Sequence, residues 1–192
     1  MGVQILRAGD RAAMPWKNGG GVTLEIAAWP LGADLASFEW RVSMATVAQG
    51  GPFSTFPGVD RSLSVLEGEL ILTIAGRDAL RLDARSAPAE FPGDAATSAQ
   101  TPASPVRDLN VMTRRGLIQA KVTRLRLMGR QGARAADPTL IISRAPGLRL
   151  VHAGASHGLD TDDAALIEDA SGESFEVVDA AEAFIIDLRR RT

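Results

Sequence analysis

The sequence predicts an all-β protein, built as a sandwich or a barrel, on three observations. Short apolar runs rich in Val, Ile and Leu recur about every ten residues, separated by Gly, Pro, Asp and Ser, which is typical of such folds. Within several runs apolar and polar residues alternate, as they do along a half-buried strand. No long segment has the period of an amphipathic helix.

The first half of the chain is expected to form five strands. They are residues 22–28, 38–47, 63–66, 69–75 and 79–82. Glu67 and Gly68 are predicted to close a hairpin between the third and fourth of these strands, and residues 76–78 to turn the chain into the fifth. On residues 38–47, alternation places Trp40, Val42 and Met44 on one face and Arg41 and Ser43 on the other.

The second half begins after residues 92–106, which are predicted to form a long surface loop because they have few large apolar side chains. Residues 117–128 are expected to form a strand with a bulge, or a bent strand that crosses a barrel corner, because their apolar pattern changes phase. Residues 129–137, rich in Gly, Ala and Arg, are expected to be a mobile connection. The remaining predicted strands are residues 139–143, 148–153, 164–167, 174–178 and 182–188.

Composition limits the function classes. The 192 residues are 45% hydrophobic with a formal charge of -2, enough for one large or two small soluble domains. The absence of cysteine excludes disulfides and thiolate chemistry and fits a cytoplasmic protein. The sequence shows neither a signal peptide nor a membrane-spanning apolar run. Its nearly balanced charge argues against nucleic acid as a partner.

A glycine-rich segment, residues 15–25, is the first candidate binding motif. Consecutive glycines let a ligand approach the backbone, and polar side chains stand beside them. No Gly-Lys-Ser or Gly-Lys-Thr is present and a strand follows, so the segment is not a phosphate loop. A tight hairpin that merely exposes its polar residues remains the alternative. The candidate ligand-binding residues here are Trp16, Lys17, Asn18, Gly19, Thr23 and Glu25.

A second motif, residues 50–61, combines glycines and prolines with aromatic and charged side chains. Phe56 can wall a pocket. Asp60 and Arg61 are neighbours that point to opposite sides of a regular strand, so either can face a ligand. The alternative is that Arg61 packs under the loop and donates hydrogen bonds to its carbonyl groups.

The third motif, residues 107–114, places three candidate residues on one face of a strand. They are Asp108, Asn110 and Met112, and burial of the polar pair requires partners. The motif also contains Arg114. Together with Lys17, Arg41 and Arg61 this arginine can bind a carboxylate, while Asn18, Thr23, Ser43 and Asn110 can recognise amide or formyl groups. The complete set suits a small anionic metabolite.

The blocks PWKNGGGVTLEI, FEWRVSMATV, GPFSTFPGVDRSL, LEGEL and RDLNVMTRRG resemble the HutD/Ves family of small cupin-fold proteins, over roughly residues 14–116. The resemblance implies a bicupin, with two stacked double-stranded β-helix barrels in one chain. Residues 1–115 would form the barrel with the ligand pocket, and residues 116–192 a second barrel completed by N-terminal strands. It also implies a bacterial, cytoplasmic protein that in some members regulates histidine utilisation.

Metal-binding cupins hold their ion with a His-x-His pair, a Glu and a later His. This sequence has only His152 and His157, so it is expected to hold no metal and no other cofactor. A two-histidine site with Asp160 or Asp162 remains an alternative.

The sequence thus favours a metal-independent binding protein over an enzyme. Its ligand would be a small carboxylate such as formylglutamate or urocanate. Two alternatives stay open. One is a small isomerase or hydrolase that uses Glu25, paired with Asp60 or Asp108, or a bound metal. The other is a structural or interaction protein whose barrel forms a homodimer.

Overall fold

A computed structural model describes residues 2–126, 129–169, 172–178 and 182–191 of the chain, apart from the side chain of Ser104. In chain order the strands are β1 (Gly2–Leu6), β2 (Ala13–Pro15), β3 (Gly21–Trp29), β4 (Trp40–Val47), β5 (Gly51–Pro52), β6 (Val59–Ile74), β7 (Leu80–Asp83), β8 (Ala89–Pro92), β9 (Thr97–Arg114), β10 (Ile118–Arg126), β11 (Arg130–Arg134), β12 (Thr139–Ser143), β13 (Leu148–His152), β14 (Ala155–Leu159), β15 (Ala164–Glu168), β16 (Ser174–Val178) and β17 (Glu182–Arg190).

The all-β prediction is confirmed. Besides the strands, the described residues contain one 3-10 turn, Ala8–Asp10, and no α-helix. In this part of the chain no helix is long and apolar enough to cross a membrane. Contacts between residues divide the chain into two compact units. The first unit is Ala12–Leu117, and the second unit is Ile118–Thr192 together with Met1–Arg11.

The first unit is one antiparallel sheet in the order β2-β3-β4-β9-β6-β7, with β5 paired to β9 and β8 paired to β6. Its two longest strands, β6 and β9, pair with each other. Each also pairs with two further strands along its length: β6 with β8 and then β7, and β9 with β5 and then β4. Register shifts between Val65 and Ile71 mark the bulges at which β6 bends. The sheet encloses a core that includes Leu63, Val65 and Phe91.

The second unit contains a five-stranded sheet, β1-β15-β12-β17-β10, and a four-stranded sheet, β11-β16-β13-β14. Strand β1 belongs here because every one of its residues pairs with β15. Its buried apolar core includes Ala135, Ile141, Leu148, Leu150, Leu159, Ala165, Ile167, Phe175, Val177, Ala183 and Ile185.

Two predictions for the first unit are wrong. Residues 97–106 are not surface loop but the first part of β9, where pairing with β5 and β6 satisfies the backbone although the side chains are small or polar. Glu67 and Gly68 close no hairpin. Strand β6 runs through them as a bulge, and Gly68 has a φ of 82°, so its role is to bend a strand. The predicted turn at residues 76–78 is confirmed, since β6 and β7 pair around it.

The second unit differs from the predictions at two places. Strand β10 pairs with β17 without a register shift, so residues 118–126 contain no bulge, while residues 127 and 128 lie outside the described part and the alternative of a bent strand stays a prediction. Residues 130–134 form β11, which is hydrogen-bonded to β16. Backbone pairing does not depend on apolar side chains, which explains why composition concealed this strand. The other predicted strands of the second half are confirmed, with ends moved by at most two residues.

Candidate functional site

Strand register in the first unit places most of the predicted site residues on one face. Residues directly opposite each other in an antiparallel sheet share a face. We call the face that carries Leu63, Val65 and Phe91 the inner face, because these residues belong to the core of the unit. Three cross-strand rows lie on it. The arginine row is Ala28, Arg41, Met112, Arg61 and Phe91; the amide row is Glu25, Ser43, Asn110 and Leu63; the acid row is Thr23, Ala45, Asp108 and Val65.

Arg41 already has a carboxylate partner. Its Nε donates to Glu25 Oε2 at 2.6 Å, and its Nη1 donates to Ser43 Oγ at 3.4 Å. The arginine side chain is buried, whereas the Glu25 side chain is 39% exposed. The carboxylate of Glu25 therefore neutralises the positive charge of Arg41 on the side of the pair that solvent reaches.

Arg61 lies in a different environment. Its side chain is buried, and its guanidinium carbon lies 5.0 Å from the ring centre of Phe53, 5.1 Å from that of Phe91 and 5.8 Å from that of Phe56. Its Nε donates a long hydrogen bond to Asn110 Oδ1 at 3.4 Å. Within the described residues no carboxylate oxygen lies within 4.0 Å of it. Burial lowers the pKa of Arg61 to about 10, so the group stays charged at neutral pH.

Asp108 is a buried acid of the inner face, with 4% of its surface exposed. Burial raises its pKa to about 7, and the positive charge of Arg61 opposes that rise. Among the described residues it has no hydrogen-bond partner and no ion pair within 4.0 Å. The inner face therefore presents a buried cation and a buried acid that do not pair directly.

Trp16 closes one end of the inner face. Its indole Nε1 donates to Thr23 Oγ1 at 2.8 Å, and its ring packs against the core of the first unit. Gly21 permits this position, because a Cβ there would lie 3.0 Å from the ring and 2.6 Å from the carbonyl oxygen of Thr46. The glycine-rich segment therefore serves the site by allowing close packing of an aromatic ring.

Three predicted residues of the same segment lie outside the inner face. Lys17, Asn18 and Gly19 are exposed in the turn between β2 and β3. Asn18 Oδ1 accepts a hydrogen bond from the backbone N–H of Gly20 at 3.0 Å, and Gly19 has a φ of 70°. The structure thus gives Asn18 and Gly19 a role in shaping this turn.

Asp60 and Arg114 also lie outside the three rows: Asp60 is on the opposite face of β6, and Arg114, opposite Val59, is on the inner face one row beyond the arginine row. Asp60 accepts from Arg115 Nε at 2.7 Å. Arg114 donates to the carbonyl oxygens of Ala36 at 2.8 Å and Phe38 at 3.2 Å. The task of holding loop carbonyls, which was the alternative for Arg61, is therefore performed by Arg114, and Arg61 donates to no carbonyl oxygen of the described residues.

Sequence reasoning missed two aromatic residues that surround Arg61. Phe91 lies on β8 directly opposite Arg61, and Phe53 lies just after β5. Phe56, which was predicted, lies on the third side of the guanidinium and contacts Phe38 edge-on at 6.5 Å. The alternation of apolar and polar residues over 89–92 indicates that Phe91 is buried. Only the pairing of β8 with β6 shows that it lies beside Arg61.

The two histidines do not combine with acids into a metal site in the described residues, where no group of three or more His, Asp or Glu side chains is close enough to hold an ion. His152 is buried, with its Nε2 3.1 Å from Glu173 Oε2. Asp162, one of the carboxylates considered for such a site, accepts instead from Arg144.

A comparison with known protein families shows to which family this chain belongs. The model of the HutD family matches residues 8–185. The chain belongs to the HutD family. Among curated relatives, an uncharacterised 21.2 kDa protein in the hutC 3′ region of Pseudomonas putida is 40% identical over 57% of each chain, and protein Ves of Citrobacter koseri is 38% identical over 56% of each. The chain thus spans a little over half the length of the curated relatives it matches. The HutD/Ves resemblance is confirmed.

Solved structures extend the likeness to the whole fold. HutD from Pseudomonas fluorescens SBW25 is 29% identical and superposes with a TM-score of 0.85 over 100% of both chains. A conserved protein of unknown function from Pseudomonas aeruginosa PAO1 is 30% identical, with a TM-score of 0.92 over 98% of this chain and 100% of that one. Protein Ylba from E. coli, at 9% identity and a TM-score of 0.72 over 98% of this chain and 90% of that one, shares the fold. The chain is a cupin-fold protein of the HutD family.

Proposed function

We propose that this protein binds a small carboxylate metabolite on the inner face of the first unit, without a metal, and thereby regulates histidine utilisation. The observation that carries the proposal is Arg61, a buried cation with no carboxylate partner in the described residues. An unpaired buried charge costs several kcal/mol, and proteins pair such charges. A carboxylate ligand is the missing partner.

The surroundings of Arg61 favour an anion of small size. Three aromatic rings hold the guanidinium by cation–π contacts and keep water away from it. A bound carboxylate can accept two parallel hydrogen bonds from a guanidinium, which gives both affinity and orientation. The amide of Asn110 and the hydroxyl of Ser43, in the next row, provide polar groups for the remainder of the ligand.

The family context narrows the ligand class. A relative is encoded in the hutC 3′ region, which favours an intermediate of histidine breakdown, such as formylglutamate or urocanate. The proposal further includes two cupin barrels, one in each unit, and a cytoplasmic location. It rests on the ligand-binding set Trp16, Thr23, Glu25, Arg41, Ser43, Phe56, Arg61, Asp108, Asn110 and Met112.

A thermal-shift screen followed by calorimetric titration tests the proposal. The probes are formate, urocanate, glutarate and N-formyl-L-glutamate. A ligand at 100 times its Kd stabilises the fold by about 2.7 kcal/mol, which gives a clear shift. We expect Arg61→Ala to weaken the binding of the best carboxylate by about 100-fold or more, because its charged partner is lost.

Arg115→Ala is the matched control, since Arg115 is an exposed arginine whose carboxylate partners lie outside the inner face. It should leave the Kd unchanged. Equal carboxylate affinity in Arg61→Ala and the wild-type protein, or no carboxylate binding at all, would contradict the proposal.

Asp108 supports a second candidate function, a small isomerase or hydrolase. A carboxyl group with a pKa of about 7 in a water-poor site is suited to act as a general acid or base. Proton NMR of N-formyl-L-glutamate incubated with the protein tests for hydrolysis through the release of formate. If the wild-type protein releases formate and Asp108→Asn does not, the result would support the enzyme. If the spectrum does not change with the wild-type protein, the result would favour the binding protein. The homodimer stays a prediction, which light scattering tests.

A further inference from the structure

The three rows of the inner face follow one another along the strands in the order arginine row, amide row and acid row. The rows succeed one another two residues apart along β4, β6 and β9, about 7 Å per step, so the arginine and acid rows are about 13 Å apart between Cα atoms. The amide row with Asn110 lies between them. The Arg61 side chain reaches toward this middle row, because its Nε donates to Asn110 Oδ1. One small molecule can therefore contact all three rows.

Asp108, at the far end of this series, is a buried hydrogen-bond acceptor without a donor. Its cross-strand neighbours, Ala45 on β4 and Val65 on β6, have no polar side-chain atoms. The charged groups on the same face include Arg61 from β6, Arg41 from β4 and Glu25 from β3, and neither arginine lies within 4.0 Å of its carboxyl oxygens. Proteins leave few such groups unsatisfied, and those that remain call for an explanation.

The electrostatic attraction between Asp108 and Arg61 leaves the hydrogen-bonding capacity of the carboxyl group unused, because no hydrogen bond joins the two side chains. An apolar residue of similar size at this position would match Val65 and Leu63 and avoid the desolvation of a carboxyl group. In the described residues the side chain caps no turn and anchors no loop. The remaining role is to meet a donor that arrives with a ligand.

We propose that Asp108 accepts a hydrogen bond from an N–H group of the ligand whose carboxylate is held by Arg61, so that the site selects carboxylates that carry an N–H donor. N-acyl amino acids and amino acids belong to this class, and plain dicarboxylates do not. The inference rests on the proposed function and adds a specificity residue to it. Sites built to bond a ligand N–H discriminate strongly against analogues without it, because their own polar group is then left unpaired.

Calorimetric titration at pH 8 with a matched pair of probes tests the inference. The probes are N-formyl-L-glutamate and N-formyl-N-methyl-L-glutamate, which differ in the N–H, and glutarate is the donor-free reference. We expect the wild-type protein to prefer the N–H probe by about 30-fold. Asp108→Leu should reduce this preference to threefold or less while glutarate binds at least as tightly as before. Asp60→Leu, which changes a carboxylate outside the inner face, is the control and should keep the preference.

Thermal melting confirms that each variant is folded, and Asp108→Asn provides a second readout. The preference of the wild-type protein should grow from pH 6 to pH 8, because an ionised carboxylate is the stronger acceptor, while that of Asp108→Asn should not change with pH. A preference that persists in Asp108→Leu, or equal binding of both probes by the wild-type protein, would overturn the inference and leave the carboxylate site intact. If no carboxylate binds to the wild-type protein, the proposed function itself fails.

Discussion

Both units are built from antiparallel strands, but they differ in how they treat buried polar groups. In the second unit the buried side chains of Thr139, Ser143 and Asp163 have hydrogen-bond partners in Asp187, the carbonyl of Ala145 and Arg7. His152 Nε2 forms no hydrogen bond in the described residues but lies 3.1 Å from a carboxylate oxygen of Glu173. In the first unit, Arg61 and Asp108 are buried without an ion-pair partner in the described residues. We infer that the buried polar groups of the second unit stabilise its fold, and we propose that the first unit gives up stability to keep a binding site.

The largest effect expected from this difference is on the stability of the second unit. Ile141, fully buried in its apolar core, leaves a cavity when it is changed to Ala. The free energy of unfolding should fall by about 4 kcal/mol. Urea denaturation measures this loss, and titration with N-formyl-L-glutamate should give the wild-type Kd within twofold. A large change in Kd with little loss of stability would break the comparison.

The next effect concerns the acid row of the first unit. Asp108→Asn should raise the free energy of unfolding by about 2 kcal/mol at pH 8. The pKa of Asp108 is raised from 3.8 to about 7 in the folded protein, so keeping this group ionised at pH 8 costs the fold roughly 4 kcal/mol. The substitution removes that cost, but burial of the amide restores part of it. The folded-state pKa lies above the unfolded one, so wild-type stability declines as the pH rises from about 4 to 7. Denaturation at pH 4, 6 and 8 measures the effect.

The matched control for this experiment is Asp60→Asn, which changes a partly exposed carboxylate of the neighbouring strand β6. It should not produce a gain that grows with pH. If Asp108→Asn destabilised the protein at pH 8, the acid would have a structural role and the contrast between the units would be lost.

The smallest effect concerns the ion pair between Arg41 and Glu25 on the inner face. Glu25→Gln removes the carboxylate that neutralises Arg41 and leaves a second cation available to an anionic ligand. The Kd for N-formyl-L-glutamate should fall by about fivefold, equivalent to roughly 1 kcal/mol. Glu69→Gln, at an exposed pair with Arg81, is the control and should change nothing. Weaker binding in Glu25→Gln would assign Glu25 to direct contact with the ligand.

The sequence was sufficient for the fold class and for the faces of single strands. Alternation separated Arg41 and Ser43 from Trp40 and Val42, and the register of β3, β4, β9 and β6 is consistent with that separation. It could not show which face points inward, because nearly every residue of β4 is buried on both faces. A polar strand face usually points to solvent, and here it points to the core.

The two arginines Arg61 and Arg114 show where sequence reasoning ends. Both stand in motifs beside aromatic residues and glycines, and both are partly or fully buried. One lies among Phe53, Phe56 and Phe91, and the other clamps the carbonyls that precede β4. The difference depends on the pairing of β6 with β8 and β9, which joins distant parts of the chain and has no local signature. The strand at residues 97–106 was missed for the same reason.

The most direct test of the central claim is the pair of measurements, unfolding free energy and N-formyl-L-glutamate affinity, on Arg61→Leu. The account predicts that this variant is at least as stable as the wild-type protein, because an unpaired buried charge is replaced by an apolar side chain among aromatic rings, and that it no longer binds the ligand. A variant that loses several kcal/mol of stability yet binds the ligand as well as the wild-type protein would contradict it.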